Sequence, residues 1–164
     1  MANFDLREVS NRLAQNLSRD ALVQSTTDSL RNYVNSDRVV IYYFYGKWEG
    51  QVTFESLSDK KYSIFGSTGP DECFNQEYAG LYEAHRISAI PDIDTSAIAD
   101  CHRDFLRNLQ VKANLVVPIL TAKGLWGLLI AHNCQHPRTW SQAEIDAMVQ
   151  GAEKIAQSDS IRNF

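Results

Sequence analysis

The sequence predicts an α+β domain, a central antiparallel β-sheet with helices packed on it. Two patterns support that expectation. Apolar residues recur at helical spacing near both ends of the chain, and between them lie two strand–turn–strand patterns, 39–57 and 115–132, set apart by a long irregular stretch. Hairpins pair strands antiparallel, and flanking helices bury their apolar stripes on a sheet face.

From the N-terminus, Leu6, Val9, Leu13 and Leu17 fall on one narrow helical stripe. Asp20 opens a second helix reaching about Val34, with Leu22, Val23, Thr26, Leu30 and Tyr33 expected on its buried side. Ser36-Asp37 punctuates the chain before a β-branched and aromatic run over 39–45. The glycines of 46–50 suit a hairpin connection, and over 51–57 Val52 and Phe54 alternate with Thr53 and Glu55. From 58 to 99 the pattern is broken by Gly66, Gly69, Pro70 and Pro91; a short helix over 75–84 and a brief strand over 86–89 are expected there. A connection of that length is usually functional. Residues 101–109 read as a helix with Asp100 as its N-cap. Strands 115–121 and 125–132 form the second hairpin, and Pro118, which has no N–H to donate, belongs at an edge or a bulge. Ser141 caps a last helix bearing Ile145, Met148, Val149, Ala152, Ile155 and Ala156. No repeat, linker or low-complexity tract interrupts the chain, which reads as one domain over 1–164 with a core of about 20–157.

The composition excludes several classes. With 16 basic against 20 acidic residues and the bases scattered, nucleic acid is not an expected partner. The longest apolar stretches, such as 125–131, fall far short of the ~20 residues a membrane span needs, so no direct membrane contact is expected of this fragment. The N-terminus lacks the basic start and apolar run of a signal peptide. Three cysteines, an odd number, argue against a disulfide framework and for a reducing compartment. The expected location is cytoplasmic, which a membrane-anchored parent protein would also satisfy.

Two short strings stand out, Asp71-Glu72-Cys73-Phe74 and Cys101-His102. A cysteine at a helix start meets free backbone N–H groups and the positive helix end, both of which favour a thiolate. Helical spacing puts Cys101 and Phe105 on one face, with His102, Leu106 and Leu109 on the adjacent one, so both Cys101 and His102 are expected to point inward. By spacing alone, a buried cysteine behaving as a small hydrophobe explains Cys101 as well. Asp71 after Pro70 equally suits a turn, and His132 a polar strand end bonded to backbone. His85 and His136 read as surface residues. Cys73, Cys101, Cys134, His132 and His136 lack the two close ligand pairs of a zinc site.

The wider strings add to this. Cys101 to Leu106, then Gln110 to Ile119, then Leu125 to His132, with Ala89-Ile90-Pro91-Asp92-Ile93 and the Trp48 to Glu55 hairpin, resemble the GAF core of cyanobacteriochromes, relatives of the phytochromes. Asp71-Glu72-Cys73-Phe74 resembles the motif of their dual-cysteine subgroup. The resemblance implies a GAF fold and a photoreceptor that binds a linear tetrapyrrole, phycocyanobilin or its isomer phycoviolobilin, and switches between blue- and green-absorbing states by 15Z/15E isomerisation.

Carried over residue by residue, the resemblance makes Cys101 the thioether anchor and Cys73 a second, reversible linkage at the central methine bridge. Asp71 would accept pyrrole N–H bonds, and His102 would pack on the chromophore. Arg86 would bind a propionate, His132 would lie near the propionates or the terminal ring D, and Tyr82 would line the pocket. Propionates require cationic partners, the role expected of Arg86 and His132. Apart from autocatalytic bilin attachment and bilin isomerisation, no enzyme activity is implied. Expected partners are the bilin, an output domain of the parent protein and, through the apolar stripes of the terminal helices, a second copy in a homodimer.

Two departures stand beside this. Tyr42-Tyr43-Phe44 lacks the arginine expected near that strand end, and Gln157-Ser158-Asp159-Ser160 weakens a coiled-coil continuation. A GAF domain binding a small ligand such as a cyclic nucleotide, without chromophore, is the alternative reading.

Overall fold

β-Branched and aromatic residues over 38–46 form a strand buried on both faces, and the rest of the fold is built around it. The computed structural model describes residues 6–46, 49–68 and 86–164. In order, these form α1 (Leu6–Ser18), α2 (Ala21–Tyr33), β1 (Arg38–Gly46), β2 (Glu49–Leu57), a 3-10 turn (Lys60–Tyr62), β3 (Ser88–Ile90), α3 (Asp100–Asn108), β4 (Ala113–Thr121), β5 (Gly124–Asn133), α4 (Gln142–Ile155) and α5 (Asp159–Arg162). The five strands make one antiparallel sheet in the order β2-β1-β5-β4-β3. The α+β fold expected from the sequence is the one observed.

The period-2 alternation of strands sorts residues between two faces. Val39, Ile41, Leu115, Val117, Leu129 and Ala131 point to the back face, where Leu13 and Leu17 of α1, Val23 and Leu30 of α2, and Met148, Ala152 and Ile155 of α4 complete the main core. Val40, Tyr42, Val52, Val116 and Leu128 form a second cluster on the front. A third cluster, Ile90, Ile93, Leu106 and Val111, seats α3 beside β3.

Local chemistry explains the element ends. Asp20 caps α2 by accepting from the N–H groups of Leu22 and Val23 at 3.0 and 3.1 Å. At the start of α4, Ser141 and Glu144 form a reciprocal capping box. Gly127 is required where β5 crosses β1, because a Cβ there would lie 2.2 Å from the Tyr42 carbonyl oxygen. Pro118 is tolerated in β4 because β3 pairs only with residues as far as Val116, which leaves that side of β4 open at Pro118.

Three expectations are corrected. The brief strand is 88–90 rather than 86–89. Ala99, not Asp100, occupies the N-cap of α3 and makes no side-chain cap bond; Asp100 sits in the first turn and pairs with Arg103 at 3.0 Å. Tyr33 is 58% exposed, since the buried arc of α2 runs through Val23, Thr27, Leu30 and Val34. The helix expected over 75–84 lies outside the described residues.

Candidate functional site

The front face of the sheet does not close on itself. Between it, α3 and residues 64–68 lies a cleft lined mainly by apolar side chains. Apolar walls with a few polar groups are the character of a site for an organic ligand. Val40, Tyr42, Val116, Leu128 and Ile130 supply its sheet wall, and His102, Phe105, Leu106 and Leu109 supply its α3 wall.

The polar groups sit at one end, on the first residues of β1, the last of β5 and the start of β4. His132 opposes Arg38 on β1 and Asn114 on β4. All three are buried, at 1% exposure for Arg38, 3% for His132 and 2% for Asn114. Arg38 Nε donates to His132 Nδ1 at 2.9 Å, Nη1 donates to the Tyr62 carbonyl at 2.8 Å, and Nη2 donates to the Leu109 carbonyl. One guanidinium therefore joins β1, β5, the 3-10 turn and the C-terminal end of α3, where a cation also suits the helix dipole. Burial lowers the Arg38 pKa from its ordinary value. Burial, and then the Arg38 charge, hold the His132 imidazole well below its ordinary value. The lowered pKa favours the neutral form of His132, a different state from the cation that the propionate role calls for. It lines the cleft all the same. Asn114 Oδ1 is a buried acceptor with no hydrogen-bond partner.

His102 lines the cleft from α3, as expected, and burial followed by the Arg86 charge lowers its pKa. Arg86 is therefore close enough for its charge to act at the cleft-facing histidine, and it is half-buried. Cys101 is exposed, contrary to the inward orientation expected. The arc of α3 that seats on the sheet runs through His102, Phe105, Leu106 and Leu109, and Cys101 lies one step off it beside exposed Asp104 and Asn108. Asp71, Cys73 and Tyr82 lie outside the described residues. Among the described residues, no group of three or more His, Cys, Asp or Glu side chains is gathered for a metal ion.

Sequence reasoning missed Arg38 and Asn114. Arg38 lies at even spacing from Val40 and Tyr42, a parity that puts it on the cleft face; Asn114 was lost because the strand was expected to start at Leu115, two residues after its actual start at Ala113.

The GAF domain family model matches residues 18–158. The chain is a GAF domain. It is 47% identical, over 95% of its own length and 96% of the relative's, to an uncharacterized protein of Picosynechococcus sp.. It is 36% identical over 88% of its length to a putative methyl-accepting chemotaxis protein of Synechocystis sp., of which it spans only 14%. Among solved structures, the blue-light-absorbing form of the Thermosynechococcus elongatus PixJ GAF domain superposes with a TM-score of 0.72 at 30% identity, covering 93% of this chain and 85% of that one. The phycoerythrobilin-bound GAF domain of a cyanobacterial phytochrome superposes with a TM-score of 0.74 at 26% identity, covering 94% of each. The domain is thus similar in structure to GAF domains of cyanobacteriochrome and phytochrome photoreceptors.

Proposed function

We propose that this GAF domain is a light-sensing input module that binds a linear tetrapyrrole covalently. The observation that supports it best is the cleft: apolar walls, His102 on the α3 side, and polar groups gathered at one end, including an unpartnered buried acceptor on Asn114. Such a cleft suits a long conjugated molecule with apolar faces and polar edges, so the residues present fit the group.

When bound, a linear tetrapyrrole supplies visible absorption and a light-driven isomerisation. The chain's own residues hold and tune it. Cys101, whose sulfur is in a disulfide in this structure, would provide the permanent thioether from its reduced thiol form, at an exposed position next to cleft-lining His102. Cys73 provides a second, reversible linkage, with Asp71 as acceptor for ring N–H groups and Tyr82 against the ligand. Arg86 serves a propionate, supported by the reach of its charge to His102. The bilin proposed is phycocyanobilin, in part converted to phycoviolobilin, and the states absorb blue and green light. As in the chemotaxis relative, of which this chain matches only 14%, the module would feed the output domain of a larger signalling protein, proposed to be a cytoplasmic homodimer.

The test is expression with phycocyanobilin, followed by spectra before and after illumination and by zinc-enhanced fluorescence on a denaturing gel. A coloured, photoreversible protein with a fluorescent band that Cys101→Ala abolishes is the expected result. A colourless protein would remove the proposal, and a band surviving in Cys101→Ala would place the anchor elsewhere. In Cys73→Ala, the blue state should give way to one absorbing at longer wavelength.

A further inference from the structure

Apolar packing fixes only the second half of α3. Leu106 sits in the cluster of Ile90, Ile93 and Val111 with Phe105 and Leu109 against it, and all three lie beyond residue 104. The first turn instead presents His102 to the open cleft and Cys101 to solvent, and its N-cap, Ala99, supplies no side-chain bond. A helix start without a capping side chain is short of partners for its first N–H groups and is less firmly held.

One side chain takes over that task. Arg103 Nε donates to the Ile93 carbonyl at 2.9 Å, Nη2 donates to the Ser96 carbonyl at 2.7 Å and the Ile98 carbonyl at 3.5 Å, and Nη1 donates to the Asp100 carboxylate at 3.0 Å. The Arg103 side chain is only 19% exposed, so these bonds are largely shielded from water. Segment 93–98 is a firm base for them. Ile93 is buried and its N–H donates to the Lys112 carbonyl at 3.0 Å, while the Ser96 hydroxyl donates to the Asp92 carbonyl at 2.6 Å. Arg107 also reaches this segment, at Asp94, but that ion pair is half-exposed and contributes little.

We propose that Arg103 is the positioning residue for covalent attachment at Cys101, holding the first turn of α3 so that the thiol meets the ligand in one orientation. This rests on the bilin reading above. The chemistry is an addition. A dithiol reductant first gives two electrons and two protons to the Cys101 disulfide, which frees the Cys101 thiol and leaves the reductant as a disulfide. The thiol then adds across a carbon–carbon double bond at the edge of the tetrapyrrole. Its S–H bond and the π bond break, sulfur bonds to one carbon, the proton goes to the other, and no group leaves. Such a step depends on alignment, and a misplacement of about 1 Å costs on the order of 100-fold in rate.

The test is the rate of phycocyanobilin attachment, followed by absorbance over a range of bilin concentrations with excess dithiol reductant. This separates the maximal rate from the half-saturating concentration. Arg103→Met should lower the maximal rate by about ten-fold or more and leave the half-saturating concentration unchanged, because the cleft walls stay in place. Arg103→Lys keeps the charge but is a point donor that cannot span the Ile93 and Ser96 carbonyls, so it should show the same loss. An unchanged maximal rate in Arg103→Met overturns the positioning role and leaves the bilin reading intact. Full recovery in Arg103→Lys also overturns it, because charge beside the thiol would then be the cause. Absence of attachment in wild type overturns both. Should neither variant fold, nitrogen-15 NMR of wild type decides: the Arg103 Nε–H should exchange slowly with water, and fast exchange overturns the clamp.

Discussion

Replacing Asn114 by leucine should stabilise the ligand-free protein. The Asn114 side chain is 2% exposed, and its carbonyl oxygen is buried without a partner. Leaving a buried acceptor unsatisfied costs about 1–3 kcal/mol. Leucine removes that oxygen and places apolar atoms among Val116, Leu128 and Ile130 on the cleft wall, where empty space, not a packed core, receives the added volume. The expected gain is about 1–2 kcal/mol, or a rise in Tm of roughly 2–8 °C for a domain of this size. Urea denaturation checks it: the midpoint should move up with the slope unchanged. A midpoint below that of wild type would mean that Asn114 is satisfied in the free protein, and the account of the cleft's polar end would fail. The same substitution is expected to weaken ligand binding, the usual opposition of stability and function at a site.

Other outcomes follow from packing and charge. Leu129→Ala, in the middle of the back-face core, should cost about 2–5 kcal/mol by equilibrium unfolding. Gly127→Ala should cost at least about 1–3 kcal/mol, since the backbone oxygen it meets has no rotamer by which to retreat; a neutral result would show that β1 and β5 separate easily. His132 and His102 both have folded-state pKa values below the ordinary one, so the unfolded chain takes up protons first as pH falls. Their stabilising contribution is present above about pH 6.5 and is lost on descent toward the folded values. Thermal melts at pH 7.5 and 5.5 should differ by more in wild type than in His132→Gln, and equal differences would contradict it.

Much of the fold was legible because single residues with strong local preferences mark the boundaries. Asp20 and Ser141 cap their helices as their side chains suggest, and Gly124, at φ +105°, makes the turn between β4 and β5. The site was less legible, because its geometry depends on offsets of one or two residues. Moving the start of α3 from Cys101 to Asp100 goes with an outward Cys101, while His102 keeps its place on the cleft. Starting β4 at Leu115 hides Asn114. The lowered pKa of His132 was beyond any reading of composition, because it comes first from burial at the end of the cleft and then from the charge of Arg38, far away in sequence and brought alongside by the β1–β5 pairing.

The bonds from Arg38 have a mechanical consequence. A guanidinium is rigid and planar, so its bonds to His132, Tyr62 and Leu109 cannot be adjusted independently. Any ligand that tilts the His132 ring turns that plane and alters the fit at the end of α3 and at the 60–62 turn. By reciprocity, whatever holds those two segments in place changes the ligand's affinity by the same factor. The cleft's closed end is thereby tied to two surface segments through one side chain.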